Sequence, residues 1–407
     1  MMFKLVCINC RSEYSLNDII YRCKKCNDLL EIQTNLEKAK ELISKRTLAS
    51  KPLSVWKYSD LIPVFDRNKI VTINEGGTKL HKCSNLAEEL GIKKLYVKNE
   101  GENPTGSFKD RGMTVGVTKA REFNVREVAC ASTGNTAASL SAYAAKAGLR
   151  GIILIPYGAV AMGKLAQSII YGAKVIAIKG NFDEALPLII EASKSLGLYL
   201  LNSINPFRIE GQKTAAFEVC EQLDCHAPDR FIIPVGNAAN ISAYWKGFKE
   251  FHELDLVKNL PRMVGIQASG ASPIVQAVKE GRDSIKPVDN PNTVATAIRI
   301  GKPASWKKAL AAIKESKGGA ESVSDEEILY AQRLLARKEG LFVEPASASS
   351  IAGLKKLIES GSIDKDEEIV CVATGHGLKD PDSALKFYQE PIVIEPNFDM
   401  LKEVIKN

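Results

Sequence analysis

One lysine in this chain has neighbours that suit it for covalent chemistry. Lys109 follows an apolar run, 95–98, that predicts a strand, and it precedes 112–123, whose apolar spacing predicts a helix. Ser107 and Asp110 have the side chains of an N-cap and a capping box, which would place Lys109 in the first helical turn. The partial positive charge of a helix N-terminus favours the neutral, nucleophilic amine. Such a lysine suits a Schiff base, and the alternative is an ordinary exposed lysine.

Four cysteines form a second candidate site. Cys7 and Cys10 make one CxxC pair. Cys23 and Cys26 make a second pair, after a short polar stretch. Two such pairs are typical of a zinc ribbon, because each tight turn presents two thiolates to a tetrahedral ion. We predict a structural zinc ion, since four protein ligands leave no open position for catalysis. The alternative is two reduced pairs without metal, and a reducing cytoplasm argues against disulfides.

The composition is that of a globular protein with more than one domain. The chain has 407 residues, of which 45% are hydrophobic and 25% are charged. No apolar run is long enough to span a bilayer, and we expect a cytoplasmic location. The formal net charge of +7 is spread along the chain and carries little information about partners.

Predicted strands and helices, which would position Lys109, alternate along the chain. Short apolar runs are followed by amphipathic segments, a pattern that predicts parallel sheets covered by helices on both faces. The helices are predicted at 136–147, 182–196, 211–223 and 241–252. The strands that follow Lys109 are predicted at 128–131, 151–155, 174–178, 198–201, 231–235, 263–267 and 368–373.

Three loops that directly follow predicted strands are rich in Gly, Asn, Ser and Thr. They are 132–136, 236–240 and 374–377. In open parallel sheets, ligands bind at such strand ends. The loop 236–240 has the composition of a phosphate cradle, because a glycine and small residues at a helix start let backbone amides converge on an anion. It lacks the lysine of a nucleotide P-loop, and the chain has no GxGxxG that opens a strand–helix unit, so a plain turn remains the alternative.

Several segments together resemble the threonine synthase family, pyridoxal-phosphate enzymes of fold type II. The resemblance covers about residues 50–390 and keeps the family's order. Its segments are 98–113, 132–138, 293–301, 342–348 and 374–380. It implies an α/β fold with two open, mainly parallel sheet domains, similar to the tryptophan synthase β fold, after an N-terminal zinc-ribbon-like segment. The implied domains are 1–34 for the ribbon, 35–98 with 205–407 for the large cofactor-binding domain, and 99–204 for a smaller α/β domain.

The resemblance also implies the residues that bind pyridoxal phosphate. Lys109 would be the Schiff-base lysine, Asn135 would contact the phenolic oxygen of the ring, and Thr374 would contact the ring nitrogen. A hydroxyl at that nitrogen, unlike a carboxylate, does not stabilise a protonated ring, so a weaker electron sink is expected. The cofactor phosphate would lie against Gly236, Asn237, Ala238, Ala239 and Asn240. The family usually has glycine at the position of Ala239, where alanine is costly only if its φ is positive.

Substrate residues follow from the same resemblance. Ser132, Thr133 and Thr136 would hold an amino-acid carboxylate. Asn202, Ser203 and Arg208 would hold the substrate phosphate, for which the planar donor fork of arginine is suited. Read without the resemblance, Asn202 and Ser203 are an ordinary turn and Arg208 is a surface charge.

The activity implied is that of a threonine synthase, which converts O-phospho-L-homoserine and water to L-threonine and phosphate in a cytoplasmic homodimer. Two other fold type II activities remain open, a cysteate synthase acting on O-phosphoserine and a serine or threonine dehydratase. Phosphoserine and phosphohomoserine differ by one methylene, which a pocket discriminates by only about 1 to 3 kcal/mol. A zinc-ribbon nucleic-acid-binding protein is a remote alternative, because the ribbon lacks aromatic residues interleaved with basic ones.

Overall fold

A computed structural model describes residues 1–157, 162–179, 182–385 and 390–406. The strands within this part of the chain are β1 (Phe3–Cys7), β2 (Glu13–Tyr14), β3 (Leu30–Thr34), β4 (Leu80–Lys82), β5 (Lys94–Asn99), β6 (Glu127–Ala131), β7 (Arg150–Pro156), β8 (Lys174–Ile178), β9 (Tyr199–Leu200), β10 (Arg230–Pro234), β11 (Arg262–Ala268), β12 (Gly319–Val323) and β13 (Glu368–Ala373). Within the same residues, no helix is long and apolar enough to cross a membrane.

Helices connect these strands and cover the sheets. They are α1 (Leu36–Leu42), α2 (Lys45–Ala49), α3 (Ser84–Leu90), α4 (Lys109–Glu122), α5 (Asn135–Ala147), α6 (Met162–Ile170), α7 (Phe182–Leu196), α8 (Pro206–Gln212), α9 (Thr214–Gln222), α10 (Ala239–Glu253), α11 (Pro273–Lys279), α12 (Trp306–Glu315), α13 (Asp325–Glu339), α14 (Pro345–Glu359), α15 (Asp382–Leu385) and α16 (Phe398–Lys406).

The strands form three sheets. A six-stranded sheet has the order β12-β11-β10-β13-β5-β4 and is parallel except for β4, which pairs antiparallel at one edge. A four-stranded, parallel sheet has the order β8-β7-β6-β9. The N-terminal segment is a small antiparallel sheet of order β2-β1-β3. This confirms the predicted α/β fold class with two mainly parallel sheets.

The central strands read as continuous apolar runs because helices cover both of their faces. All six residues of β13 and all five of β10 are buried, as is typical of parallel sheets. Each strand predicted from such a run overlaps an observed strand. β12 was missed, because its sequence, Gly-Ala-Glu-Ser-Val, lacks an apolar run. The helix predicted at 211–223 is two helices, α8 and α9, that meet at Lys213.

Helices α4 and α8 pack unusually closely. A Cβ atom on Gly211 would lie 1.8 Å from the backbone oxygen of Arg111, so only glycine permits this approach. On Gly116, a Cβ atom would lie 2.5 Å from a methyl carbon of Leu201. The contact brings Arg208 in α8 against the helix that begins with Lys109.

The N-terminal segment contacts the four-stranded sheet and a helix that covers the six-stranded sheet. The Leu200 amide of β9 donates to the Tyr21 hydroxyl at 2.7 Å. On the other side, Lys246 of α10 donates to the Ile32 backbone oxygen at 2.6 Å, and Thr34 donates to Glu250 at 3.0 Å. The segment therefore links the helices of the six-stranded sheet to the edge of the four-stranded sheet.

Candidate active site

Lys109 is the first residue of α4 and lines a large cavity between the two parallel sheets. Its Nζ lies 4.0 Å from the centre of the Phe108 ring. Burial and the nearby Arg208 guanidinium lower the pKa of Lys109 to about 7, while Glu344 opposes this shift. A large fraction of this amine is therefore neutral at neutral pH. A lowered pKa was also expected from the sequence, but its main cause is burial and not the helix N-terminus.

The capping box predicted for Ser107 and Asp110 is wrong. Phe108 already has helical backbone angles and is the residue before the first turn, and the buried Ser107 hydroxyl has no hydrogen-bond partner within the described chain. Asp110 instead accepts from the Thr105 amide at 2.7 Å, the Thr105 hydroxyl at 2.6 Å and the Ser139 hydroxyl at 2.5 Å. Burial raises the pKa of Asp110 to about 6. This carboxyl thus fixes the loop that leads into Lys109.

The residues predicted to bind cofactor and substrate line one cavity of about 3110 Å³. They come from different strand ends and helix starts of both parallel sheets. The set comprises Lys109, Ser132, Thr133, Asn135, Thr136, Asn202, Ser203, Arg208, Gly236, Asn237, Ala238, Ala239, Asn240 and Thr374. Their individual roles stay predictions.

The loop 236–240 connects β10 to α10. Its helix begins at Ala239, so the first amides of α10 have no acceptors within the helix. Ala238 has a φ of 66° and precedes the helix in the left-handed region, an arrangement that directs successive amides toward one point. Ala239 is not among the described residues with positive φ, so alanine at this position carries no backbone strain. A Cβ atom on Gly236 would lie 3.0 Å from the Ala297 backbone oxygen.

Glu344 joins two of the predicted cofactor residues, and no role was predicted for it from the sequence. The Asn135 amide donates to its carboxylate oxygens at 3.2 and 3.0 Å, and the Thr374 hydroxyl donates to Oε1 at 3.3 Å. Burial raises the pKa of Glu344, and Asn135, Lys379 and Lys109 oppose that shift. In the sequence, Glu344 is a single glutamate before a proline, and the start of a helix is enough to explain that pattern.

Arg208 is 2% exposed, so its reading as a surface charge is wrong. One guanidinium nitrogen donates to the Leu201 backbone oxygen at 3.1 Å, and the buried Nε has no partner among the described residues. Burial lowers the pKa of Arg208 to about 10. Asn202 pairs with both the amide and the carbonyl of Ala131, at 3.1 and 3.0 Å. A buried cation that lines a cavity suits an anionic ligand.

A buried ion-pair network lies beneath Lys109. Arg111 donates through Nε to Glu100 at 2.6 Å and through Nη2 to Glu218 at 2.7 Å, and Lys98 donates to Glu218 at 2.7 Å. The side chains in these pairs are fully buried. The two cations lower the pKa of Glu218 to about 2. The network fixes the first turn of α4 against β5 and α9.

The four N-terminal cysteines lie together as predicted. Their sulfur atoms are all within 4.8 Å of one another. Cys7 Sγ and Cys26 Sγ are 3.4 Å apart, as are Cys10 Sγ and Cys23 Sγ. A tetrahedron of Zn–S bonds of about 2.3 Å places its sulfurs about 3.8 Å apart, so the four thiols fit a zinc ion after a small adjustment.

Comparison with known proteins identifies the family of this chain. Residues 71–375 match the model of the pyridoxal-phosphate dependent enzyme family. The threonine synthase of Methanocaldococcus jannaschii is 60% identical over 400 residues, which cover 98% of both chains. The chain belongs to the threonine synthase family. A second member, from Halalkalibacterium halodurans, is 52% identical over 350 residues that cover 85% of this chain and 96% of that relative.

The fold of this threonine synthase family member also resembles solved structures of other enzymes. The processed form of threonine deaminase isoform 2 from Solanum lycopersicum has a TM-score of 0.64 and 22% identity, and the match covers 88% of this chain and 95% of that one. These findings confirm the family and the fold type predicted from the sequence.

The residues present fit pyridoxal phosphate. Lys109 offers an amine with a lowered pKa, the start of α10 offers unpaired amides for a phosphate, and Asn135 and Thr374 offer polar groups from the two different sheets. Nothing in this donor set conflicts with the cofactor that the family name implies.

Proposed function

We propose that this chain releases phosphate from Cγ of O-phospho-L-homoserine and adds water at Cβ to form L-threonine. The observation that carries the proposal is the position of Arg208, a buried cation that lines the cavity that contains Lys109. The identity of more than half of the residues to curated threonine synthases supports it.

In this proposal, Lys109 is both the attachment point of pyridoxal phosphate and the base that moves protons. Bound cofactor supplies an electron sink for negative charge at the α carbon. The Lys109 amine would take protons from the α and β carbons and return protons to the carbons of the product, and its pKa of about 7 in the cofactor-free protein suits this exchange near neutral pH.

Polar side chains would orient the substrate in the same cavity. Ser132, Thr133 and Thr136 lie at the start of α5, where hydroxyls and free amides suit a carboxylate. Arg208 and Ser203 would bind the phosphate, together with any donor of Asn202 that Ala131 leaves free. A dehydratase needs no such cation, which favours a phosphorylated substrate.

Turnover with two substrates tests the proposal. We would measure phosphate release and amino-acid products with O-phosphohomoserine, and with O-phosphoserine plus sulfite. We expect threonine and phosphate from the first. A preference for phosphoserine with sulfite would contradict the assignment and indicate a cysteate synthase. Lys109→Ala should lose the absorbance of the bound cofactor and all turnover, whereas Lys302→Ala, which replaces an exposed lysine of the same cavity, should retain both.

We also propose that the four cysteines hold one structural zinc ion and that the protein is a cytoplasmic homodimer. The sulfur positions support the zinc ion, and the nine cysteines, all free, suit a reducing compartment. The dimer rests on the family resemblance. Metal analysis of the purified protein tests the zinc ion, and light scattering tests the dimer.

A further inference from the structure

Gln212, the last residue of α8, is a buried polar residue at the cavity wall. It is 2% exposed and lines the cavity that contains Lys109. Its Oε1 is buried without a hydrogen-bond partner, and no described residue accepts from its Nε2. Buried amides in folded proteins are nearly always paired. The unpaired amide therefore indicates a partner that is not part of the chain.

Two glycines of α4 make room for Gln212 and for Arg208, which lies one helical turn before it. A Cβ atom on Gly112 would lie 3.0 Å from Gln212 Nε2 and 3.3 Å from Arg208 Cβ. A Cβ atom on Gly116 would lie 3.3 Å from Arg208 Cγ. Because residues four apart share one face of a helix, both polar side chains leave α8 toward α4, the helix that begins with Lys109.

Arg208 places this pair of side chains near Lys109. Its guanidinium is close enough to lower the pKa of Lys109, and both residues line the same cavity. The amide of Gln212 has one acceptor and one donor atom, and because its Oε1 is enclosed, Nε2 is the atom left for a partner in the cavity. A cation beside a neutral donor suits an anion that accepts hydrogen bonds from both, as a phosphate group does.

We propose that Gln212 donates through Nε2 to the phosphate group of the bound substrate, beside Arg208. The inference rests on the proposed function, in which Arg208 and Ser203 bind that phosphate, and it adds a neutral donor to them. An apolar side chain of similar size would fill the same space, so packing alone does not explain the amide. Because Nε2 would hold the phosphate before and during its release, removal of the donor should raise KM and leave kcat nearly unchanged.

Binding of inorganic phosphate to the holoenzyme tests the inference. The protein is first saturated with pyridoxal phosphate, so that added phosphate cannot occupy the site of the cofactor phosphate, and binding is measured by calorimetry. Gln212→Met removes the donor at nearly constant volume. It should weaken phosphate binding by about tenfold to a hundredfold, the effect of one hydrogen bond to a charged group, and raise KM for phosphohomoserine by a similar factor. Unchanged phosphate affinity in Q212M would overturn the inference.

Two further measurements separate the loss of one donor from general damage. Q212M should bind L-threonine, which has no phosphate group, as tightly as the unchanged protein does, and equal weakening of threonine and phosphate binding would overturn the inference. Removal of an unpaired buried amide should not destabilise the fold, so the urea midpoint of Q212M should equal or exceed that of the unchanged protein. A lower midpoint would show that the amide has a partner within the chain, and it would count against the inference.

Two other variants complete the set. Gln276→Met makes the same replacement at an exposed glutamine of α11 and should change neither phosphate affinity nor KM. If Q212M does not fold, Gln212→Asn serves in its place, because the shorter side chain withdraws the amide from the ligand. Phosphate binding should weaken in Q212N as well, and an unchanged affinity there would contradict the inference.

The cofactor also carries a phosphate group, and an absorbance titration separates the two. Q212M should bind pyridoxal phosphate as tightly as the unchanged protein; weaker cofactor binding with unchanged binding of inorganic phosphate would assign Gln212 to the cofactor and overturn the inference. An unchanged protein that forms no threonine from phosphohomoserine would refute the proposed function. Threonine formation with equal phosphate affinity in the unchanged protein and in Q212M would refute only the role of Gln212.

Discussion

The stability of the cofactor-free protein should depend on pH through Lys109. Its pKa falls from 10.5 to about 7 on folding. Between these values the unfolded chain binds more protons than the folded one, so the free energy of unfolding rises with pH in this window. At 1.36 kcal/mol per pKa unit, the gain between about pH 6 and about pH 8.5 is about 2 kcal/mol, an upper value because water in the cavity screens the charge.

Replacement of the amine isolates this contribution. Lys109→Met removes the titrating group, so the difference in unfolding free energy between the unchanged protein and the variant should change by about 2 kcal/mol between the two pH values, with the unchanged protein gaining at the higher pH. Urea unfolding at each pH measures this difference.

A second replacement provides the control. Lys302→Met, at an exposed lysine of the same cavity, should change stability by less than about 0.5 kcal/mol at either pH. A pH-independent difference between the unchanged protein and K109M would refute the reasoning, because it would mean that folding does not lower the pKa of Lys109.

Three further predictions concern the surroundings of the site. Arg111→Met should cost about 3 to 5 kcal/mol in urea unfolding, because it leaves buried carboxylates without their partner; Arg67→Met, which breaks an exposed pair, should cost at most about 1 kcal/mol, and equal costs would contradict the argument. Gly375→Ala should weaken cofactor binding and cost about 1 to 3 kcal/mol, because its methyl group collides with Glu344; unchanged affinity in an absorbance titration would show that the carboxyl position is unimportant. Cys10→Ser should lower the metal content from one zinc ion per chain and the unfolding temperature with it; metal analysis that finds no zinc in the unchanged protein would count against the site.

The fold was largely predictable because its strands are buried on both faces. Such strands appear in the sequence as uninterrupted apolar runs, as β10 and β13 do. Strand β12 was missed because its residues are mostly half-buried. The break between α8 and α9 at Lys213 was also missed, because the residues around it continue the amphipathic pattern of one helix.

The residues of the candidate site, like the fold, could be predicted only in part. Loops after strands indicated where ligands bind, and their residues do line one cavity. The role predicted for Asp110 was wrong, because a capping box and a hydrogen bond from Thr105 use the same residue types. Glu344 and the pairs of Arg111 were missed, since their partners are distant in sequence and a buried charge looks like a surface charge until the fold brings its partner.

The contacts of the N-terminal sheet limit how the cavity can change its width. Tyr21 holds the edge of one parallel sheet, and Ile32 and Thr34 hold a helix of the other, through bonds of 2.6 to 3.0 Å. Separation of the two parallel sheets on this side would break those hydrogen bonds, so the N-terminal segment holds the walls of the cavity together there. A segment far from Lys109 in sequence thus resists widening of the cavity that Lys109 lines.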